Sequence, residues 1–236
     1  MFIISEIFPQ HAGDLDLAET MILQSKMAGA SAVKLQLYAG NEFSFDGLDR
    51  KYIELSRDGL ARLMKFGRSI SMPVFSTAFD DERLEWVLEE EQPYFKIPSR
   101  MHMENPDLVR RILQLNKPTF VSIPDGVDYE PYLRNENLIL LKCVSNYPTL
   151  LEDWNLSFLS EGHFTGISDH SQGISVAIQA AATGAKYLEK HFTLSHALQK
   201  STEKAHTGAF TFEELLSLKR TTLELSLIGK KPKLIK

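Results

Sequence analysis

Two histidines end short, largely apolar runs, in Gly166-Ile-Ser-Asp-His170 and Lys186-Tyr-Leu-Glu-Lys-His191. Imidazole is the commonest side-chain metal ligand, and two of them at neighbouring strand ends would hold a Lewis-acidic divalent ion. Without a fold to bring them together, two histidines so far apart read instead as unrelated surface residues, like any of the five others in the chain. More polar groups follow apolar runs in the same way: Glu6, Lys34 with Gln36, Ser76 with Thr77, Lys96 with Ser99, Ser122, Ser145, Ser168 and Glu189. Alternation along an extended strand places Lys34 and Gln36 on one face, and Glu189 and His191 on another. A buried charge is costly unless paired or metal-bound, so ionisable groups gathered in this way predict a site. For any one of them, a loop position or a salt bridge is the competing reading.

The runs that must position these groups are residues 2–5, 32–37, 73–76, 94–97, 119–122, 138–143, 165–168 and 186–189. Short, apolar and bounded by Gly, Pro or polar clusters, they read as buried parallel strands. Helical periods lie between them. Ala18, Met21 and Ile22 share a face, with Gly29 at the C-terminal cap position. Leu84, Val87 and Leu88 follow the acidic start Asp80-Asp81-Glu82, and Ile174, Ala177, Ile178 and Ala181 end before Gly184. Thr211 with Glu214 is a capping-box signature ahead of Leu215 and Leu218. The stretch from Trp154 to Leu159 reads as either a short helix or a packed loop. Eight strands alternating with helices predict an α/β fold, a single-domain (β/α)8 TIM barrel over residues 1–236 with no second domain. Every strand end listed above then converges on one rim, where barrel active sites sit. An open doubly wound sheet is the alternative, but the Gly-rich phosphate loop it carries after its first strand is missing.

Composition agrees with one globular domain: 43% hydrophobic residues suffice for a core, and 236 residues leave little room for two full domains. A net charge of −5 and a single short basic cluster, Lys230-Lys-Pro-Lys233, argue against nucleic acid, and that cluster reads as a solvated tail. The single Cys143 excludes an internal disulfide and a zinc site of the cysteine type. With no basic leader and no membrane-length apolar run, the expected location is the cytoplasm.

The ordered motifs resemble the sialic acid (N-acetylneuraminate) synthase family. Ile4-Ser-Glu-Ile-Phe-Pro-Gln-His-Ala-Gly13 is similar to the family's opening Ala-Glu-Ile-Gly-x-Asn-His-Asn-Gly, and Ala28-Gly-Ala-Ser-Ala-Val-Lys-Leu-Gln36 to its second strand. Phe75-Ser-Thr-Ala-Phe-Asp80 and Phe95-Lys-Ile-Pro-Ser99 resemble the third and fourth. Tyr147-Pro-Thr149, Gly166-Ile-Ser-Asp-His170 and Glu189-Lys-His-Phe-Thr-Leu194 resemble later ones, and the whole set runs from about residue 3 to about residue 230.

The resemblance implies a phosphoenolpyruvate-dependent aldol-type condensation with a sugar aldehyde. C3 of phosphoenolpyruvate joins the aldehyde, water attacks C2, and phosphate leaves with C–O cleavage, giving a 2-keto-3-deoxy sugar acid. It implies a divalent metal, Mn or Mg, on His170 and His191, polarising the aldehyde oxygen. Lys34, Thr77, Lys96, Ser99, Ser122 and Ser168 would bind phosphoenolpyruvate, the two lysines read as inward cations without internal counter-ions. Glu6 and Glu189, with Lys34 and Lys96, would be catalytic, and Gln36, Tyr147, Thr202 and Glu203 would face the sugar.

Four departures from the family pattern stand out. Relatives carry a C-terminal antifreeze-like domain whose partner-chain arginine reaches the sugar site; the expectation here is a barrel alone, as a homodimer or served by a separate antifreeze-like-domain protein. Lys200-Ser-Thr-Glu203 stands where relatives have Pro-Gly-Pro-Asp-His, so Thr202 and Glu203 are expected to rebuild the acceptor pocket. The family's carboxylate after the fourth strand falls on Met101, beside an unusual Arg100, and its Asn before Tyr-Pro falls on Ser145. Two other readings compete: a degenerate barrel that binds ligand or a partner without turnover, and another metal-dependent sugar aldolase on the same fold.

Overall fold

The computed structural model of the chain describes residues 1–40, 51–198 and 207–228. Eight strands organise it: β1 Phe2–Glu6, β2 Ala32–Leu37, β3 Val74–Ala78, β4 Phe95–Ile97, β5 Thr119–Ile123, β6 Leu138–Cys143, β7 Gly166–Asp169 and β8 Tyr187–His191. They form one sheet in the order β3-β2-β1-β8-β7-β6-β5-β4, and every ladder is parallel. The two ends of that order meet, with the Phe75 and Tyr94 rings 5.6 Å apart across the seam between β3 and β4. The sheet is therefore a nearly closed barrel, as the alternation of strands and helices predicts, and the open sheet is excluded.

Five strands run one or two residues beyond their apolar stretch, taking in Glu6, Ala78, Ile123, Asp169 and His191. Hydropathy signals a strand only while its residues are apolar. The ladder continues through Glu6, Asp169 and His191 because these polar ends find partners in the barrel, and Ala78 and Ile123 lie just past the polar Thr77 and Ser122.

Among the described residues the helices between and after the strands are α1 Leu15–Met27, α2 Arg57–Ser69, α3 Asp81–Glu89, α4 Met101–Glu104, α5 Pro106–Gln114, α6 Phe158–Glu161, α7 Ser175–Ala182 and α8 Phe212–Leu227; α4 and α5 share the β4–β5 connection, and a 3-10 turn at Glu130–Tyr132 stands between β5 and β6. Asp14, Ser56 and Asp80 accept from the first-turn amides of α1, α2 and α3. Past α1 the chain reverses at Gly29, whose φ of +94° suits glycine. The stretch from Trp154 proves mostly loop, between a 3-10 turn at Leu151–Asp153 and the single turn of α6.

Thr211 caps α8 in the predicted box, its Oγ1 accepting from the Glu214 amide at 3.4 Å while Glu214 Oε2 accepts from the Thr211 amide at 2.8 Å. Thr211→Ala should therefore lower stability by about 1 kcal/mol, read as a shifted urea midpoint with unchanged slope.

The core has two compartments. Outward strand residues such as Ile3, Leu35, Val121 and Leu188 pack beneath the helices. Inside the barrel, Ile4, Ala32, Phe75, Phe120 and Leu141 meet the rings of Phe2, Tyr94 and Tyr187 and fill the amino-terminal half. This plug fixes the parity of each strand: the next inward positions toward the carboxyl end are polar, and they form the floor of the site.

Candidate active site

Glu6, two residues past Ile4, lies in register with Lys34 on β2 and with His191 on β8. Lys34 Nζ pairs with Glu6 Oε2, stands 3.2 Å from Glu189 Oε1, and donates to Thr77 Oγ1 at 3.3 Å. Across the barrel, Lys96 Nζ donates to Ser122 Oγ at 2.7 Å and to the Ile97 carbonyl at 3.0 Å, and lies 3.5 Å from Glu189 Oε2. Glu189 thus bridges both lysines. This corrects the expectation of two cations without counter-ions: inward parity on β1 and β8 brings both carboxylates to them, so the four charges cancel.

The environments of the two carboxylates differ. Burial pushes Glu6 above the usual carboxylate range despite Lys34 and the Phe8 amide, which donates to its Oε1 at 2.9 Å. Burial also pushes Glu189 up, but Lys34 and Lys96 overcome it and hold the group below that range. Burial pulls both lysines down; the two glutamates still leave Lys34 raised, while Lys96 ends lowered.

The remaining expected residues fall into three groups. Ser168 is buried one pairing away, in register with Glu189, and half-buried Gln36 lies opposite Thr77. Ser99 accepts from Ser145 Oγ at 3.2 Å near the rim. Ser76 does not join them: inward parity on β3 belongs to Phe75 and Thr77, so Ser76 faces outward, its backbone clasped by the buried Gln92 amide at 2.8 and 3.2 Å. Thr202 and Glu203 lie outside the described residues, as do Lys200, Ser201, Lys204, His206 and the basic tail.

His170 and His191 come together with ring centres 5.9 Å apart. His170 Nδ1 donates to the Val144 carbonyl at 3.1 Å, and its Nε2 faces the Tyr147 hydroxyl at 3.0 Å. Hydrogen-bond complementarity turns the Gln10 amide nitrogen toward the Phe8 and Ile7 carbonyls at 2.6 and 3.2 Å, leaving its oxygen toward His191 Nδ1. Both rings are thus anchored through Nδ1, the usual arrangement for a histidine that ligates through Nε2.

The donor set can be tested against a divalent ion. Two imidazoles binding one ion at about 2.1 Å have ring centres up to about 6.5 Å apart, and the observed spacing falls within that limit. Among the described residues no group of three His, Cys, Asp or Glu side chains forms a metal cluster. The two histidines therefore fit an ion whose other positions belong to water or substrate, and do not fit a closed structural site.

Several neighbours of the site escaped the sequence reading. Cys143 is buried and inward, two residues past Leu141, a parity that would have found it once the plug was known. Burial disfavours its thiolate, yet His170 and Lys96 draw its pKa below the usual thiol value. Asp169 and Lys190 face outward behind the histidines as a fully buried ion pair of 2.8 Å. Met101 is buried in the compartment beneath the helices, which explains an apolar side chain there.

Comparison with known proteins gives a consistent result. The description of the NeuB family matches residues 21–231. Pseudaminic acid synthase of Campylobacter jejuni is 30% identical over 235 residues, covering 86% of this chain and 68% of that protein. Human N-acetylneuraminate-9-phosphate synthase is 27% identical, covering 91% of this chain and 68% of its own. The crystal structure of an N-acetylneuraminic acid synthetase from Leptospira borgpetersenii in complex with citrate superposes with a TM-score of 0.88 and 28% identity, over all of this chain and 87% of the other.

Proposed function

The chain belongs to the NeuB family of phosphoenolpyruvate-dependent sugar-acid synthases, and from that premise we propose that it condenses phosphoenolpyruvate with a sugar aldehyde at the layer built on Glu6, Lys34, Lys96 and Glu189. The observation that carries this reading is the opposed tuning of two neighbouring carboxylates. Paired titratable groups pushed apart by their surroundings mark acid and base roles. Glu189, held ionised between two lysines, is the anchor that fixes both ammonium groups. Glu6, raised by burial, is the group that exchanges a proton.

The phosphate and carboxylate of phosphoenolpyruvate take donors from Lys34 and Lys96, with Thr77, Ser99, Ser122 and Ser168 completing the cradle. Carbon–carbon bond formation from C3 leaves positive character at C2. Water adds there and gives a proton to Glu6 Oε2, and loss of phosphate with C–O cleavage yields the 2-keto acid. Synthases of this family are generally dependent on a divalent metal; here His170 and His191 would hold it, and when bound it supplies Lewis-acid polarisation of the aldehyde oxygen. Tyr147 and Gln36 face the sugar in this reading, and Thr202 and Glu203 are proposed to contact it as well.

Phosphate release from phosphoenolpyruvate, assayed against a panel of aldehyde sugars with and without manganese or magnesium, tests the reaction. No release with any acceptor would leave a binding protein in place of a synthase. His191→Ala tests the metal site independently. Affinity should fall by more than the roughly 10–100-fold that losing a ligand's own hydrogen-bond partner costs, with the circular dichroism unchanged. Metal content equal to wild type by elemental analysis would refute the assignment.

A further inference from the structure

His102 on α4 takes no part in the reaction outlined above, yet both its ring nitrogens are engaged. The reason lies in the β4–β5 ladder. The Phe95 amide donates to the Pro118 carbonyl at 2.8 Å, and the two-residue period makes Phe120 and then Ser122 the next acceptors on that edge of β5. β4 ends at Ile97 and Pro98 leads the chain into α4, so the Ser122 carbonyl lies one step beyond the strand. A side chain meets it instead: His102 Nε2 stands 3.0 Å from that carbonyl, and its Nδ1 2.9 Å from the Tyr132 hydroxyl. A carbonyl only accepts, so Nε2 carries the proton, and Nδ1 of the neutral ring accepts from Tyr132. Burial holds the imidazole pKa below its usual value, outweighing the Ser122 carbonyl, and Lys96 adds to the depression. His102 and Tyr132 line a groove of about 490 Å³ with Val109, Leu113 and Leu138, on the helix side of the barrel wall.

We propose that His102 is a positioning residue for phosphoenolpyruvate: by extending the β4–β5 ladder as a side-chain donor, it fixes Ser122 and, through Ser122, the Lys96 ammonium group. This rests on the condensation reading above. Ser122 is the point of transmission, because its carbonyl lies in the sheet toward β4 while its Oγ accepts from Lys96 Nζ at 2.7 Å inside the barrel. Lys96 is held between that hydroxyl, the Ile97 carbonyl at 3.0 Å and Glu189 Oε2 at 3.5 Å. Loosening the first of these lets the carboxylate draw the ammonium toward itself and away from a bound anion. His102 also follows Ser99 by three residues, so the same bond ties the segment bearing Ser99 to the end of β5 and keeps two hydroxyls of the proposed cradle in one arrangement. An apolar side chain at position 102 would leave the Ser122 carbonyl without this donor where β5 has just lost its neighbour.

Calorimetry on the full chain tests it, with phosphoenolpyruvate and, separately, manganese as probes. His102→Phe keeps a ring in the space and removes the donor. Phosphoenolpyruvate should then bind about 10-fold more weakly, the effect of one hydrogen bond left unmade at a buried acceptor. Manganese affinity should stay at the wild-type level, because His170 and His191 stand at the ends of β7 and β8. His102→Gln, whose amide can again donate to the carbonyl, should recover most of the loss. Unchanged phosphoenolpyruvate affinity in a folded His102→Phe protein overturns the proposal. An equal fall in manganese affinity overturns it too, as the mark of a general loss of structure, and so does a Gln variant no better than Phe. Should His102→Phe fold poorly, nitrogen NMR of the wild-type imidazoles gives the answer. The His102 resonances, identified by their absence in His102→Gln, should show the proton on Nε2 and should shift when phosphoenolpyruvate is added. A proton on Nδ1, or resonances unmoved at saturation, overturns the proposal. Wild-type protein that fails to bind phosphoenolpyruvate would remove the condensation reading and this inference together, whereas binding that His102 does not affect removes the positioning role alone.

Discussion

Replacing Lys34 with Met is expected to cost about 3–5 kcal/mol of stability at neutral pH and to abolish phosphoenolpyruvate binding. Lys96→Met should lose the same ligand at little or no cost in stability. Both lysines are buried, so the difference lies in what each leaves behind. Without Lys34, Glu6 keeps the Phe8 amide but loses its cation, and a buried carboxylate without its counter-charge is strongly destabilising. Without Lys96, Glu189 still has Lys34 at 3.2 Å, and the buried charge that leaves is one whose own pKa burial depresses.

The pH dependence gives each half a sign. Glu6 already has a folded pKa above its unfolded value of about 4.3, and removing Lys34 raises it further. Such a group contributes stability below the unfolded pKa that is lost as pH rises through the folded one. The Lys34→Met deficit should accordingly be small near pH 4 and grow toward pH 8. Lys96 runs the other way: with a depressed folded pKa, its contribution is present above about pH 10.4 and is lost as pH falls through the folded value. At neutral pH its charge is a cost, which Met removes. Urea unfolding of both variants at pH 5 and 8 measures this, and Glu6→Gln combined with Lys34→Met should recover most of the deficit. An equal deficit at both pH values would rule out the buried Glu6 charge as its source. Unchanged phosphoenolpyruvate affinity in either variant would return that lysine to a structural role.

How much of this was legible in the sequence depended on whether the information was local. Strand positions were readable because buried parallel strands are continuous apolar runs, and β2 and β6 came out to the residue. Such runs conceal parity, since both faces are apolar. Ser76 therefore looked like a rim residue and Cys143 did not, until the Phe75, Phe120 and Leu141 plug fixed which side was inward. Lys34 and Lys96 were readable as charges at strand ends and so as site candidates, yet their pairing with Glu189 depends on contacts between strands far apart in the chain. The histidine pair was legible only through spacing and resemblance. Its anchoring by Val144 and Gln10 was not, because a backbone carbonyl leaves no trace in composition.

Lys190→Met should be the second large effect, and it tests how the two histidines are held apart. Asp169 and Lys190 lie in register on β7 and β8, one residue before each histidine, and point to the opposite face. Their ion pair has both side chains at 0% exposure. Asp169 Oδ1 also accepts from the Ser171 amide at 2.8 Å and its hydroxyl at 2.7 Å, and Lys190 Nζ donates to the Ser171 carbonyl at 2.5 Å. The turn that follows His170 is thus tied to the strand that bears His191. A second tie comes from the C-terminal segment: the Phe210 amide donates to the His191 carbonyl at 2.8 Å, and Gly208 packs so closely that a Cβ there would lie 2.3 Å from the His170 carbonyl oxygen. Removing Lys190 alone leaves Asp169 buried without its cation, a loss of about 3–5 kcal/mol. Asp169→Asn in the same chain should return much of that stability, since the amide oxygen can still accept from Ser171. Metal affinity should not recover with it, because the tie between the two strands stays cut. We expect the double variant to bind manganese about 10–100-fold more weakly than wild type, although neither altered side chain faces the site. Calorimetric titration with manganese, alongside urea unfolding, separates the two effects. A double variant with wild-type manganese affinity would make the pair a scaffold for the fold alone, with the spacing of His170 and His191 set elsewhere.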